Sequence, residues 1–265
     1  MDALAKFKES QRQSWASFAP LEVWTTPAAA RLVRHARIAA GMRVLDVGCG
    51  TGVVAVTAAR RGARVTGLDL TPELLEHAKE NARIAGVEIE WHLGDAEELP
   101  FEDQRFDAVV SQFGHMFAPR PEVATSEMLR VLRKGGTLAF STWPPELVNG
   151  RGMELVRQYA PPPAFEAPPV TLWGDPATIR QRLGDAVREI VFDRATMFMP
   201  ALSARHQREE RERSSGPLRK LVEALSAKDP EKLEGFRRAY ESIVEEYLED
   251  NQIQAGYLMT RAVKA

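Results

Sequence analysis

Residues 43–52 read RVLDVGCGTG, and this stretch decides the fold. RVLDV is a short run rich in β-branched residues, the composition of a buried strand. It breaks into three glycines spaced by single residues, where the chain can turn sharply and expose bare backbone. VVAVTAAR then reads as a helix, stopped at Gly62, where a glycine can take the left-handed cap. ARVTGLDL (63–70) is a second strand. Thr71 and Pro72 open the next helix, with Leu74, Leu75, Ala78 and Ala82 on one face, and Gly86 closes it. VEIEWHL (87–93), FDAVVSQF (106–113) and TLAFST (137–142) are further strands, and a helix spans Pro121 to Arg133 before Gly135-Gly136. Strands alternating with helices imply parallel pairing with right-handed crossovers, hence a doubly wound α/β sheet with helices on both faces.

The second half is less regular. APPPAFEAPPV (160–170) is a proline-dense connector. PATIRQRL (176–183) reads as a short helix and AVREIVFDRATMFM (186–199) as one long or broken strand. Residues 200–253 are helical and charged, with breaks at 214–217 and near Asp229-Pro230; within them RHQREERER reads as a solvated helix face. AGYLMTRAV (255–263) is a last strand returning to the sheet. The expected division is therefore N-terminal helices over 1–40, a core over 41–199 and 254–265, and a helical insertion over 200–253 that would act as a substrate lid.

Composition narrows the function. The chain has 265 residues with 35 basic and 37 acidic side chains, a balance that argues against a nucleic-acid surface over the whole molecule. One cysteine excludes an internal disulfide framework and a Cys-rich metal centre. No apolar run approaches the roughly 18 residues that cross a bilayer, and the polar N-terminus lacks a signal peptide's apolar stretch. A cytoplasmic location without membrane insertion is expected.

In an open α/β sheet, ligands sit at the carboxyl ends of the strands. The residues just past each predicted strand form a coherent set. After the first come Asp46, Gly48, Cys49 and Gly50, leading to a helix N-terminus that suits an anion. After the second comes Asp69, placed to accept hydrogen bonds from a ribose. After the third come Asp95 and Ala96, a carboxylate and a backbone N–H suited to an adenine edge, and after the fourth come Ser111, Gln112 and Phe113. The dinucleotide fingerprint G-x-G-x-x-G fails at Val53, which disfavours a nicotinamide-linked oxidoreductase.

VLDVGCGTG, GLDLTPELLEHAKEN, GDAEELPF, FDAVVSQFGHMF and MLRVLRKGGTLAFSTW together resemble the successive motifs of class I S-adenosylmethionine-dependent methyltransferases. The nearest subgroup is the type 11 domain, similar to ubiquinone/menaquinone-biosynthesis methyltransferases. The resemblance covers about residues 40–143. It implies a mostly parallel seven-stranded, Rossmann-like sheet whose last strand is antiparallel, and a cofactor, S-adenosylmethionine, that leaves as S-adenosylhomocysteine with no metal required. Carried over to this chain, Gly48, Cys49 and Gly50 would back the methionine part, and Asp46 would orient that loop and the cofactor amino group. Asp69 would hold the ribose with Leu70 against the adenine, Asp95 and Ala96 would read the adenine edge, and Ser111 and Gln112 would line the sulfonium end. Cys49 has a packing role in this reading.

Methyl transfer from a sulfonium needs a general base only when the acceptor keeps its proton at neutral pH. His115 is the best-placed candidate, the other reading of it being a hydrogen-bonded wall residue. Trp15, Phe18 and Trp24 in SWASFAPLEVWTTP either face the sulfonium or the acceptor or pack their helix onto the sheet, and Trp143, Tyr159 and Phe165 are expected in the acceptor pocket. The expected partner is a small-molecule acceptor, with no nucleic acid; a protein acceptor and a homodimer both stay open. Arsenite methylation would need more cysteines. The alternative is a regulatory protein that binds S-adenosylmethionine or S-adenosylhomocysteine without transfer activity.

Overall fold

The computed structural model describes residues 2–161 and 165–265; the centre of the proline-dense connector, 162–164, lies outside the described residues. Helices α1 (Ala3–Trp15) and α2 (Glu22–His35) precede the first strand. Asp2 caps α1 by accepting from the Ala5 amide, which satisfies one of the free N–H groups of a helix start. The sheet strands are β1 (Arg43–Val47), β2 (Arg64–Asp69), β3 (Ile89–Leu93), β4 (Phe106–Gln112) and β5 (Leu132–Thr142), with α3 (Val53–Ala59), α4 (Pro72–Ala85) and α5 (Pro121–Val131) between them. Thereafter come α6 (Val148–Tyr159), α7 (Pro176–Leu183), β6 (Val187–Pro200), α8 (Ala204–Ser214), α9 (Gly216–Lys228), α10 (Pro230–Glu245), the two-residue β7 (Leu248–Glu249) and β8 (Gln252–Lys264).

The strand order is β3-β2-β1-β4-β5-β8-β6, with β7 pairing β8. β1 to β5 pair in parallel, and β8 runs antiparallel between β5 and β6. The chain thus builds outward from β1 to β3 and then restarts on the other side of β1 with β4. That reversal opens the crevice in which such sheets hold ligands.

One boundary differs from the sequence reading, and of the two readings left open for 186–199 the single long strand is the one found. β5 starts at Leu132, which pairs with Phe106; the register then shifts so that Thr137 meets Ala108. Residues 133–136, with Gly135 at φ +69°, form the irregularity. β6 is a single strand, with its own irregularity between Arg188 and Val191 where Glu189 has φ +54°. The helix breaks at 214–217 and at Asp229-Pro230 fall where expected, and Asp229 caps α10 through the Lys232 amide at 3.0 Å.

The sheet has a core on each face. On one, Leu32, Val33, Val54 and Ala58 of α2 and α3 pack on Val44, Val65 and Val110. On the other, Leu221, Leu233, Phe236 and Val244 of α9 and α10 join one continuous cluster with Leu45, Phe106, Phe140 and Tyr257 of the sheet. Phe236 is fully buried there. The segment over 200–253 therefore shares the core of the sheet.

Candidate active site

The glycine turn after β1 is pressed against the loop after β4. Gly48 has φ +64°, and a Cβ on it would stand 2.9 Å from the Cα of Gly114, so neither the conformation nor the space admits a side chain. Gly50 also has positive φ, but a Cβ on it would meet nothing within 4 Å. One glycine is needed for close packing of two loops, the other leaves bare backbone facing open space.

Asp69, at the end of β2, ties this turn to the start of α4. Its Oδ2 accepts from the Gly50 amide at 2.8 Å and its Oδ1 from the Thr71 amide at 2.9 Å. Burial pushes its carboxyl above the usual range, and the hydrogen bonds from Gly50 and Thr71 oppose this. Asp46 accepts from the Ala55 amide at 3.0 Å through Oδ2, while its buried Oδ1 has no partner. Burial raises its pKa to about 7, with the Asp69 charge adding to the effect. The Cys49 thiol is buried and pushed well up, first by burial and then by Asp69 and Asp46. It is therefore a thiol and no nucleophile.

Asp95 accepts from the Glu97 amide at 2.9 Å and from Lys8 Nζ at 2.5 Å. Lys8 also reaches Glu97 at 2.6 Å, and Arg120 pairs with Glu97 at 2.8 Å. Burial disfavours the Lys8 charge, yet the hydrogen bonds to Asp95 and Glu97 prevail and raise its pKa. Helix α1 is thus pinned across the end of β3. Gln112 donates to the Thr25 carbonyl at 2.9 Å, which ties α2 to the end of β4, and its buried Oε1 has no partner.

Asp46, Gly48, Cys49, Gly50, Asp69, Leu70, Asp95, Ala96 and Gln112 all line one cavity of about 550 Å³. Ser111 and His115, also read from the sequence, do not. Ser111 is fully buried behind the wall, donating to the Val47 carbonyl at 2.6 Å and accepting from the His115 amide at 3.0 Å. It braces the two loops instead of facing the sulfonium end. His115 is 2% exposed and its ring lies 4.6 Å from Phe140 and 4.7 Å from Trp173. Neither ring nitrogen has a hydrogen-bond partner, and burial, with the Arg182 charge, pushes its pKa down to about 3. Buried off the cavity wall, the ring does not face the space an acceptor would fill, which speaks against the general-base reading.

The rest of the cavity is mostly apolar, with a few polar and charged side chains. Phe113, at φ +59°, carries its ring flat against Trp143 at 3.8 Å; a bulky residue in that region is strained, as residues at binding sites often are. Trp15, Phe18 and Trp24 line the cavity, and so do Trp143 and Phe165. Tyr159 instead packs on Phe236 at 5.4 Å. Sequence reasoning missed Lys8, Met197, Met199, Gln207, Arg211 and Tyr240, all on the wall. Helical spacing alone was available to find Gln207 and Arg211, one turn apart. Among the described residues, no group of three or more His, Cys, Asp or Glu is arranged to hold a metal ion, and no helix is long and apolar enough to cross a membrane.

A family described as "Methyltransferase domain" matches residues 45–140, the segment from β1 to β5 that carries the glycine turn and the strand-end carboxylates. An uncharacterized protein of Mycobacterium tuberculosis is 42% identical over 156 residues, 59% of this chain and 57% of that relative's length. The chain thus matches little more than half of that relative. A second uncharacterized protein of the same organism is 35% identical over 259 residues, 96% of this chain and 94% of its own. The demethylmenaquinone methyltransferase of Clavibacter sepedonicus is 39% identical over 127 residues, 46% of this chain and 51% of that enzyme. Among solved structures, Haemonchus contortus phosphoethanolamine N-methyltransferase 2, in complex with phosphomonomethylethanolamine and S-adenosylhomocysteine, shares the fold. Its TM-score is 0.56 at 21% identity, covering 90% of this chain and 52% of that one. With this fold, this glycine turn and these relatives, the chain belongs to the class I S-adenosylmethionine-dependent methyltransferases.

Proposed function

We propose that the chain transfers the methyl group of S-adenosylmethionine to a small-molecule acceptor by in-line displacement, releasing S-adenosylhomocysteine without a metal. The observation that carries this reading is that Asp69, Asp95 and the Gly48–Gly50 turn share one cavity whose far half is mostly apolar. The residues present suit the cofactor. The buried, unpartnered Asp46 Oδ1 fits an ammonium group, and the open space at Gly50 fits a chain lying along the backbone. Asp69 and Leu70 would hold the ribose and adenine, and Asp95 with Ala96 the adenine edge. Gln112 would stand at the sulfonium end.

The cofactor supplies an activated methyl group. The work left to the protein is to align the acceptor and exclude water, which suits a wall built from Trp15, Trp24, Phe113, Trp143, Met197 and Met199. With His115 off the wall, the favoured acceptor atom is one that offers a lone pair without losing a proton to that ring.

The test is calorimetric binding of S-adenosylmethionine, followed by a metabolite library read out as S-adenosylhomocysteine formation. Tight binding with turnover on at least one acceptor is the expected result. Undetectable binding would sink the proposal, and tight binding with no turnover on any acceptor would favour the regulatory alternative.

A further inference from the structure

Helix α8 contains four arginines. Arg205 pairs with Glu209 at 2.9 Å, Arg208 with Glu212 and Glu241 at 2.6 Å each, and Arg213 with Glu210. Arg211 alone has no carboxylate partner among the described residues. Its guanidinium instead lies 5.6 Å from the centre of the Trp24 ring, and the residue lines the cavity. The other cations of the wall are neutralised, Lys8 by Asp95 and Glu97 and Arg157 by Glu154 at 2.6 Å. One turn before Arg211, Gln207 also lines the cavity; it is 4% exposed and its buried Oε1 has no partner among the described residues. Residues four apart on a helix are neighbours, so the amide and the guanidinium share one patch.

The patch adjoins the expected site of transfer. Trp24, under the guanidinium, precedes Thr25, whose carbonyl receives the Gln112 side chain. A guanidinium held against an aromatic ring, in a largely apolar wall and without a counter-ion, presents a planar fork matched to the oxygens of a carboxylate or phosphate. A cationic acceptor would be repelled from it, and a neutral one would leave its charge without a partner.

We propose that Arg211 and Gln207 form an anion-binding subsite for the acceptor, which is therefore an apolar body bearing one carboxylate or phosphate. This rests on the methyltransferase reading above and names its substrate class. Arg211 positions the acceptor and takes no part in the displacement.

The test uses the full chain saturated with S-adenosylhomocysteine and four probes of matched shape: phenylbutyrate, phenylbutyl phosphate, phenylbutanol and phenylbutylamine, each titrated by calorimetry. One of the two anions should bind at least about 10-fold more tightly than the alcohol, the scale of a charge-assisted hydrogen bond, and the amine should bind most weakly. Which anion leads separates a carboxylate from a phosphate acceptor. Arg211→Gln should erase the preference without weakening the alcohol, whose affinity should stay equal or rise once the unpartnered charge is gone, and Arg211→Lys should keep part of it. Absence of any anion preference in the wild type, or its survival in Arg211→Gln, would overturn the subsite. Failure of the wild type to bind S-adenosylhomocysteine at all would instead overturn the methyltransferase reading.

Discussion

The two halves of the cavity are built by different means. On the side of the strand ends, the carboxylates of Asp46, Asp69 and Asp95 are each fastened to a backbone amide, those of Ala55, Gly50 and Glu97 among them. Loops there touch backbone to backbone, as at Gly48 and Gly114. On the opposite side, the wall is made of side chains from distant parts of the chain: Phe113 and Trp143 after β4 and β5, Met197 of β6, and Gln207 and Tyr240 of the covering helices. A site made from backbone and short carboxylates leaves little room for variation, because each group is held by the register of the sheet. A site made from aromatic rings and thioethers can change shape by substitution without disturbing the sheet. The first suits a ligand common to a whole family, the second a ligand that differs between its members.

The comparison can be broken in several ways. Asp69→Ala should have the largest effect: on the proposed reading it removes two hydrogen bonds from a ribose to a charged group, about 3–6 kcal/mol, hence about 100-fold or more in S-adenosylmethionine affinity by calorimetry. Unchanged affinity would detach the strand ends from the cofactor. Gly48→Ala forces a Cβ against the Gly114 backbone in a left-handed conformation. It should lower stability by about 2–4 kcal/mol in urea unfolding, whereas the same substitution at Gly50 strains only the conformation and should cost less.

Asp46 gives a dependence on pH. Burial raises its pKa to about 7 from an ordinary 3.8, so the folded chain keeps a proton that the unfolded chain releases. Its stabilising contribution is fully present below the ordinary carboxylate value and is lost as the pH rises through about 7. Asp46→Asn mimics the protonated form. The stability difference between wild type and variant, followed by urea unfolding, should therefore shift against the wild type from pH 5 to pH 8; a constant difference would contradict the assignment. The smallest effect is expected at His115. Replacing its unpartnered ring by leucine should leave kcat within about 2-fold, with stability equal or higher, since a desolvated polar group is removed. Loss of one limb of the pH–rate profile would return His115 to the reaction.

Much of the strand-end half was legible before any coordinates. Strand periodicity located the ends of β1 to β4, and nine of the residues expected to hold cofactor stand on one cavity wall. Ser111 was misread because alternation along a strand tells which residues share a face but not which of two neighbours meets the loop beside it. His115 follows a strand in the manner of site residues, yet the turn Gly114–Phe117 rotates its ring toward Phe140 and Trp173. The charged run RHQREERER reads as solvated by composition, and for Arg205 and Arg213 it is. Arg208 is instead buried in a carboxylate cluster, and Arg211 faces the cavity.

What the amino-acid order determined by itself was the parallel sheet, its glycine turn and the carboxylates at its strand ends. These follow from local periodicity and from the geometric rule that successive strand ends gather on one edge. What only the tertiary structure decided was which face of each covering helix turns inward. That choice put Lys8 on Asp95 and left Arg211 without a counter-ion beside Trp24. The physical reason is that a helix of alternating charges carries little apolar stripe to orient it. Its rotation is set by partners on other elements, Glu241 of α10 for α8 and Asp95 beyond β3 for α1.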